Sequence, residues 1–144
     1  MFVTSVLRNQ VARMLQRLET NSRWLEECAH LTEDWSADLT RVLAAERAMH
    51  VCVELTTDAA NAVIDALVMR DPGGYADIIR VLMEEGVVEK DWFMEFEGAL
   101  AFRQKVIHGY LDLSGSEVVD AVRQYATLFS TYISKLRTYL EIEP

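Results

Sequence analysis

The first 71 residues contain neither glycine nor proline. The whole chain of 144 residues holds only 6 Gly and 2 Pro, and with Pro144 at the end, Pro72 is the one internal proline. A β-sandwich or barrel needs turn residues about every 8–12 positions, so an all-β fold is nearly excluded. Long helices are the expectation, and the fold class is all-α. Hydrophobic residues make up 51% of the chain. That is enough to bury a real core, and one domain spanning 1–144 is expected, without linker or internal repeat.

Hydrophobic spacing places the helices. Val3, Val6, Leu7, Val11, Met14, Leu15 and Leu18 recur at three- and four-residue steps and predict a helix over about 3–29. A second is expected over 34–69, capped by Thr32 or Asp34 and stopped by the Met-Arg-Asp-Pro-Gly-Gly run at 69–74. A short helix over 75–84 ends at Gly86, and another over 89–107 stops at Gly109. Residues 111–116 form a loop, in which Ser114 and Glu117 read as a capping box for a last helix over 116–141. The sum is an antiparallel bundle of about five helices.

The formal charge is −9, which argues against bulk coating of nucleic acid or of an anionic membrane. No stretch is apolar enough for a membrane span, and the start lacks a signal peptide's apolar core. A cytoplasmic protein is expected, with Cys28 and Cys52 as free thiols. His30, His50 and His108 are scattered without metal-ligand spacing, so neither metal nor cofactor is expected. The charge is unevenly spread. Residues 1–23 carry Arg8, Arg13, Arg17 and Arg23 against Glu19, a net of +3, and residues 99–110 carry only Arg103 and Lys105. Arg13 and Arg17 share a helix face, read either as a solvated face or as a phosphate-contacting surface near Arg103.

The stretch Ala-Phe-Arg-Gln-Lys-Val-Ile-His-Gly-Tyr at 101–110 combines an imidazole, a guanidinium and a phenol at a helix end. Histidine moves protons near neutral pH, and arginine matches phosphate oxygens. The pair suffices in principle for metal-free RNA cleavage. Five residues of helix turn the chain by about 500°, so Arg103 and His108 diverge by about 140°. Either the helix breaks at His108, or a second copy completes the site across a two-fold axis. The bare spacing is weakly specific, because Arg23 and His30 nearly repeat it and read as a decoy. Glu54 and Asp58 read as a polar face or intersubunit contacts, or as support near the cleft. Trp24, Trp35 and Trp92 read as packing, His50 as a satisfied buried histidine, and Met49, Met69, Met83 and Met94 as core filling.

Arg103, His108 and Tyr110, with Phe102 and Gly109 around them, resemble the Arg-x4-His-x-Tyr signature of the HepT-like toxins, a branch of the HEPN-domain ribonucleases. Residues 45–67, with Glu54 and Asp58 on one face, are similar to the family's long second helix. Residues 75–88 are similar to its short helix ending in Gly-Val. The resemblance covers roughly residues 40–125. It implies an all-α HEPN bundle that dimerises and brings two Arg–His motifs into one cleft. It further implies a metal-independent endoribonuclease toxin acting on RNA, with no DNA or membrane partner. Its antitoxin would be an MntA-like minimal nucleotidyltransferase that transfers AMP onto the tyrosine. Arg103 and His108 inherit the catalytic roles and Tyr110 the modification, with Gln104 and Lys105 as supporting residues. Gln104 stands where the family often has Asn or another small polar residue. The competing expectation is a catalytically weak helical module that dimerises or binds a nucleotidyltransferase.

Overall fold

Each helix starts or stops where a side chain or a glycine can take over the hydrogen bonds that helix ends leave open. The computed structural model describes residues 2–144. Six helices follow one another: α1 (Ser5–Ala29), α2 (Leu39–Ala66), α3 (Asp77–Glu84), α4 (Lys90–Ile107), α5 (Gly115–Tyr125) and α6 (Leu128–Leu140). Thr4 caps α1 by accepting from the Leu7 N–H, and Asp38 caps α2 by accepting from the Arg41 N–H. The Ser114–Glu117 capping box opens α5 as the sequence predicts. At the end of α3, Gly86 takes φ +77, and the Val87 N–H reaches back to the Leu82 carbonyl. That is a Schellman closure, which favours glycine.

Several helix boundaries depart from the sequence reading. Helix α2 begins at Leu39 rather than at 34, because Asp34 turns its carboxylate onto the Ser36 N–H (2.9 Å) and leaves the cap to Asp38. It ends at Ala66 rather than 69, where Val68 enters the left-handed region at φ +53. Helix α3 begins two residues late, which leaves Tyr75 outside it. The helix expected over 116–141 is interrupted at Ala126–Thr127, so the bundle has six helices instead of five. Side-chain donors occupy carbonyls there: Ser130 Oγ donates to Thr127 and the Trp92 indole to Leu128. Both contacts lie at the first turn of α6, just past the turn.

Helix α2 is the axis of the molecule and touches all five others. Its buried stripe includes Val42, Ala45, Met49, Cys52, Val53, Thr56, Ala60 and Val63. Thr56 and Thr57 return their hydroxyls to carbonyls one turn back. The carbonyl of Thr56 also accepts from the fully buried Tyr132 hydroxyl at 2.7 Å. Trp92 stacks between Phe96 (4.9 Å) and Tyr132 (5.4 Å), and Trp35 is buried, in keeping with a packing role. Met94 corrects the reading of the methionines as core, because it lies on the outer face of α4 and is 57% exposed. Cys28 and Cys52 are buried free thiols, and burial pushes the Cys52 thiol up to about 12. No helix among the described residues is long and apolar enough to cross a membrane.

The start of α5 rests directly on the segment before α2. A Cβ at Gly115 would stand 2.1 Å from the Ser36 carbonyl oxygen, whereas one at Gly74 would meet nothing within 4 Å. Backbone cannot yield as a flexible side chain can. Gly115→Ala is therefore expected to cost about 1–3 kcal/mol in urea unfolding, and Gly74→Ala less than about 0.5 kcal/mol. Equal effects would contradict the close approach.

Candidate active site

Arg103 lies on the same side of α4 as Phe96, Ala99 and Leu100, all of them buried. Its side chain is only 16% exposed. A guanidinium in that position needs a partner of opposite charge. Helix α2 supplies it: the Arg103 Nε–H donates to Glu54 Oε1 at 2.5 Å. The flat cation also lies over the ring of Tyr75, 4.0 Å from its centroid. The Tyr75 hydroxyl donates to the same Glu54 oxygen at 3.2 Å and shares a hydrogen bond with Thr57 Oγ1 at 3.1 Å. His50, one turn before Glu54, brings Nε2 to 3.5 Å from that oxygen. Three side chains thus converge on one carboxylate, and Thr57 holds the tyrosine among them. Burial, the largest influence, pushes the Tyr75 phenol up to about 12, so it remains a neutral donor at ordinary pH. Asp58, one turn beyond Glu54, is raised by burial and by Glu54's charge.

This arrangement leaves the outer edge of Arg103 unspent. Glu54 takes Nε, Tyr75 covers one face, and the two Nη groups have no partner among the described residues. Two parallel N–H donors of this kind match a phosphate.

His108 is the C-cap residue of α4. Its N–H still bonds to the Gln104 carbonyl at 2.8 Å, so the helical register persists up to it. The break that could have swung His108 towards Arg103 does not occur before that residue. The imidazole is exposed, and no hydrogen bond links it to Arg103 among the described residues. Tyr110 follows, 64% exposed, with Leu111 beside it at 88%. Gln104 is exposed. Lys105 is exposed and held by Glu117 at 3.1 Å, the residue that closes the α5 capping box. Its amine ties α4 to α5 and is not turned to Arg103. The decoy pair stands apart from all this: Arg23 pairs with Glu19, and His30 Nδ1 lies 2.6 Å from the Glu26 carbonyl at the end of α1.

Sequence reasoning read Glu54 as a polar face or intersubunit contact, with support near the cleft as the alternative that the geometry favours, and it missed Tyr75 as the platform. One signal was available for the pair. A charged residue in the apolar stripe of α4 calls for a carboxylate on the facing helix. For Tyr75 there was none, because its place depends on α3 beginning late. Among the described residues no group of His, Cys, Asp or Glu could hold a metal ion.

A helical bundle with Arg-x4-His at the end of its fourth helix, and the arginine seated on the second, defines a class. The sequence model described as "Ribonuclease HepT-like" matches residues 10–136. The chain belongs to this HepT-like ribonuclease family. It is 32% identical over 110 residues, 76% of each chain, to YutE of Bacillus subtilis (strain 168), which is designated a candidate RNase. The solved structure of YutE, described as a cytosolic protein of unknown function, superposes with a TM-score of 0.82. It covers 98% of this chain and 94% of YutE at 27% identity. The tri-AMPylated HEPN toxin of Shewanella oneidensis, solved in complex with its MNT antitoxin, has the same fold. Its TM-score is 0.79 at 15% identity, with 89% of this chain and 96% of that one covered.

Glu54→Gln keeps the volume and removes the charge, leaving a largely covered guanidinium without a counter-ion. Allowing for solvent at the carboxylate, which is 34% exposed, the loss is expected to be about 1–2 kcal/mol. The Arg103 Nε–H, followed by NMR, should lose its protection from exchange. An unchanged melting midpoint together with unchanged exchange would contradict the pairing.

Proposed function

We propose that this chain is a metal-independent endoribonuclease toxin of a toxin–antitoxin pair, with Arg103 and His108 as its catalytic residues at a dimer cleft. The single observation that carries the reading is the contrast within the motif. Arg103 is clamped with its Nη edge free, while His108 and Tyr110 stand exposed at the helix end. In the reaction, a ribose 2′-oxygen attacks the adjacent phosphorus and the 5′-oxygen leaves. His108 takes the proton from the 2′-hydroxyl or returns one to the leaving oxygen. Arg103 stabilises the charge that gathers on the phosphoryl oxygens. The two side chains diverge by about 140° on one helix, so they act together through a second copy of the chain.

Regulation falls to Tyr110. In our reading, an MntA-like nucleotidyltransferase directs the phenol oxygen onto the α-phosphorus of ATP. Pyrophosphate leaves and AMP stays on the tyrosine. The added phosphate carries negative charge close to where RNA phosphate must dock, which silences the nuclease. The exposed phenol gives the transferase access, and the likeness of the fold to a tri-AMPylated toxin supports the assignment. The same reading sets the enzyme to work on RNA in the cytosol.

A second reading, a binding module with little catalysis, draws on Glu54. Its carboxylate offsets part of the charge that Arg103 would offer to phosphate.

Two experiments decide between them. Purified protein incubated with RNA and chelator should cleave it, and Arg103→Ala and His108→Ala should each lower the rate by at least about 100-fold. Equal cleavage by all three proteins would remove the catalytic assignment, and no cleavage by any would favour the binding module. Mixed with the nucleotidyltransferase and ATP, the chain should gain mass in AMP units, and Tyr110→Phe should not. An undiminished gain in that variant would reject Tyr110 as the acceptor.

A further inference from the structure

Eight of the eleven arginines have a carboxylate or carbonyl partner, from Arg8 on Leu140 and Glu141 to Arg137 on Glu19. Three have none among the described residues: Arg13, Arg17 and Arg47. Arg13 and Arg17 are exposed, one turn apart on α1, and they rim a groove of about 650 Å³ between α1 and α2. Asn9, Gln10, Met14 and Leu55 complete its lining. No carboxylate lines it, although the chain carries 23 acids against 14 bases. The lining residue Leu55 follows Glu54, which seats Arg103, and lies about 100° round α2 from it. Arg47 stands two turns before Glu54, on the same face of α2.

We propose that this groove binds the sugar–phosphate backbone of a single RNA strand that continues to Arg103. The inference rests on the ribonuclease reading and extends it, naming where the substrate is held outside the cleft. Charge selects the occupant. Unpaired guanidiniums on a chain of net −9 make a local positive field that an anionic strand can use. Four residues of helix set Arg13 and Arg17 about 6 Å apart along the axis, so that they can address neighbouring phosphates of an extended strand. The amides of Asn9 and Gln10 offer donors and acceptors to sugar hydroxyls and base edges, and Met14 and Leu55 offer an apolar bed for a base or ribose.

The test is binding without turnover. A short, fully 2′-O-methylated single strand, which lacks the attacking hydroxyl, is titrated by fluorescence anisotropy across a range of salt. The Arg13→Ala/Arg17→Ala double variant is compared with wild type and with Arg23→Ala/Arg41→Ala, which removes the same charge from arginines that already have partners. The groove variant should bind roughly tenfold or more weakly at low salt. Its slope of log affinity against log salt should fall by about 1.4, about 0.7 for each lost phosphate contact. The control pair should stay within about twofold of wild type. Circular dichroism confirms that all variants are folded.

If wild type cleaves ordinary RNA but the groove variant binds like wild type, the groove assignment is overturned and the ribonuclease reading stands. If wild type neither binds nor cleaves, both fall. Loss of binding that accompanies conversion of a dimer to a monomer in sedimentation overturns the assignment in favour of an interface between two copies.

Discussion

A guanidinium on the buried face of a helix has to be neutralised where it stands, and much of this bundle is arranged around that requirement. Arg103 is 16% exposed and faces α2. Removing its counter-charge would leave a largely covered cation with little water to replace it. Glu54 answers the charge, Tyr75 answers the flat face, and Thr57 and His50 gather on the same carboxylate or its tyrosine. The consequence for function is directional. With Nε and one face engaged, only the Nη edge remains for a ligand, and its direction is set by two helices and the loop before a third.

The loop before α3 is itself anchored. Arg70 reaches Asp77 at 2.7 Å and Glu84 at 2.8 Å, and the Gly73 N–H donates to Asp77. These contacts fold residues 70–77 against the start of α3, between α2 and the site. The Arg70 guanidinium holds the Asp77 and Glu84 carboxyls below their ordinary range. This clamp acts above the ordinary carboxylate pKa and is lost as pH falls through the lowered values. Tyr75 sits inside the loop it closes, so the platform under Arg103 is tied to an exposed cluster that carries no chemistry of its own.

Much of this was legible in the sequence. The absence of Gly and Pro over 71 residues announced helices, and Gly86, Gly109 and the Ser114–Glu117 box marked three of their ends. The motif lay in the expected place, at the end of α4. What escaped reading depends on contacts between distant segments. Local capping rules allow Thr32, Asp34 and Asp38 alike, and the choice of Asp38 follows from Asp34 being used by Ser36. Nothing in 116–141 forbids one continuous helix, yet the chain turns at Ala126–Thr127, and the Trp92 indole of α4 packs onto the start of α6 just beyond. The net charge misled in the same way. A total of −9 hides which cations are already paired, and only the structure separates Arg13, Arg17 and Arg47 from the eight that are engaged.

The central claim is that Arg103 is fixed inward and His108 outward, so that a working site takes one from each of two chains. Co-expression of Arg103→Ala with His108→Ala, each inactive alone, tests this most directly. A purified heterodimer should recover RNA cleavage, because one subunit supplies the intact arginine and the other the intact histidine. A heterodimer that forms and remains as inactive as its parents would contradict the account.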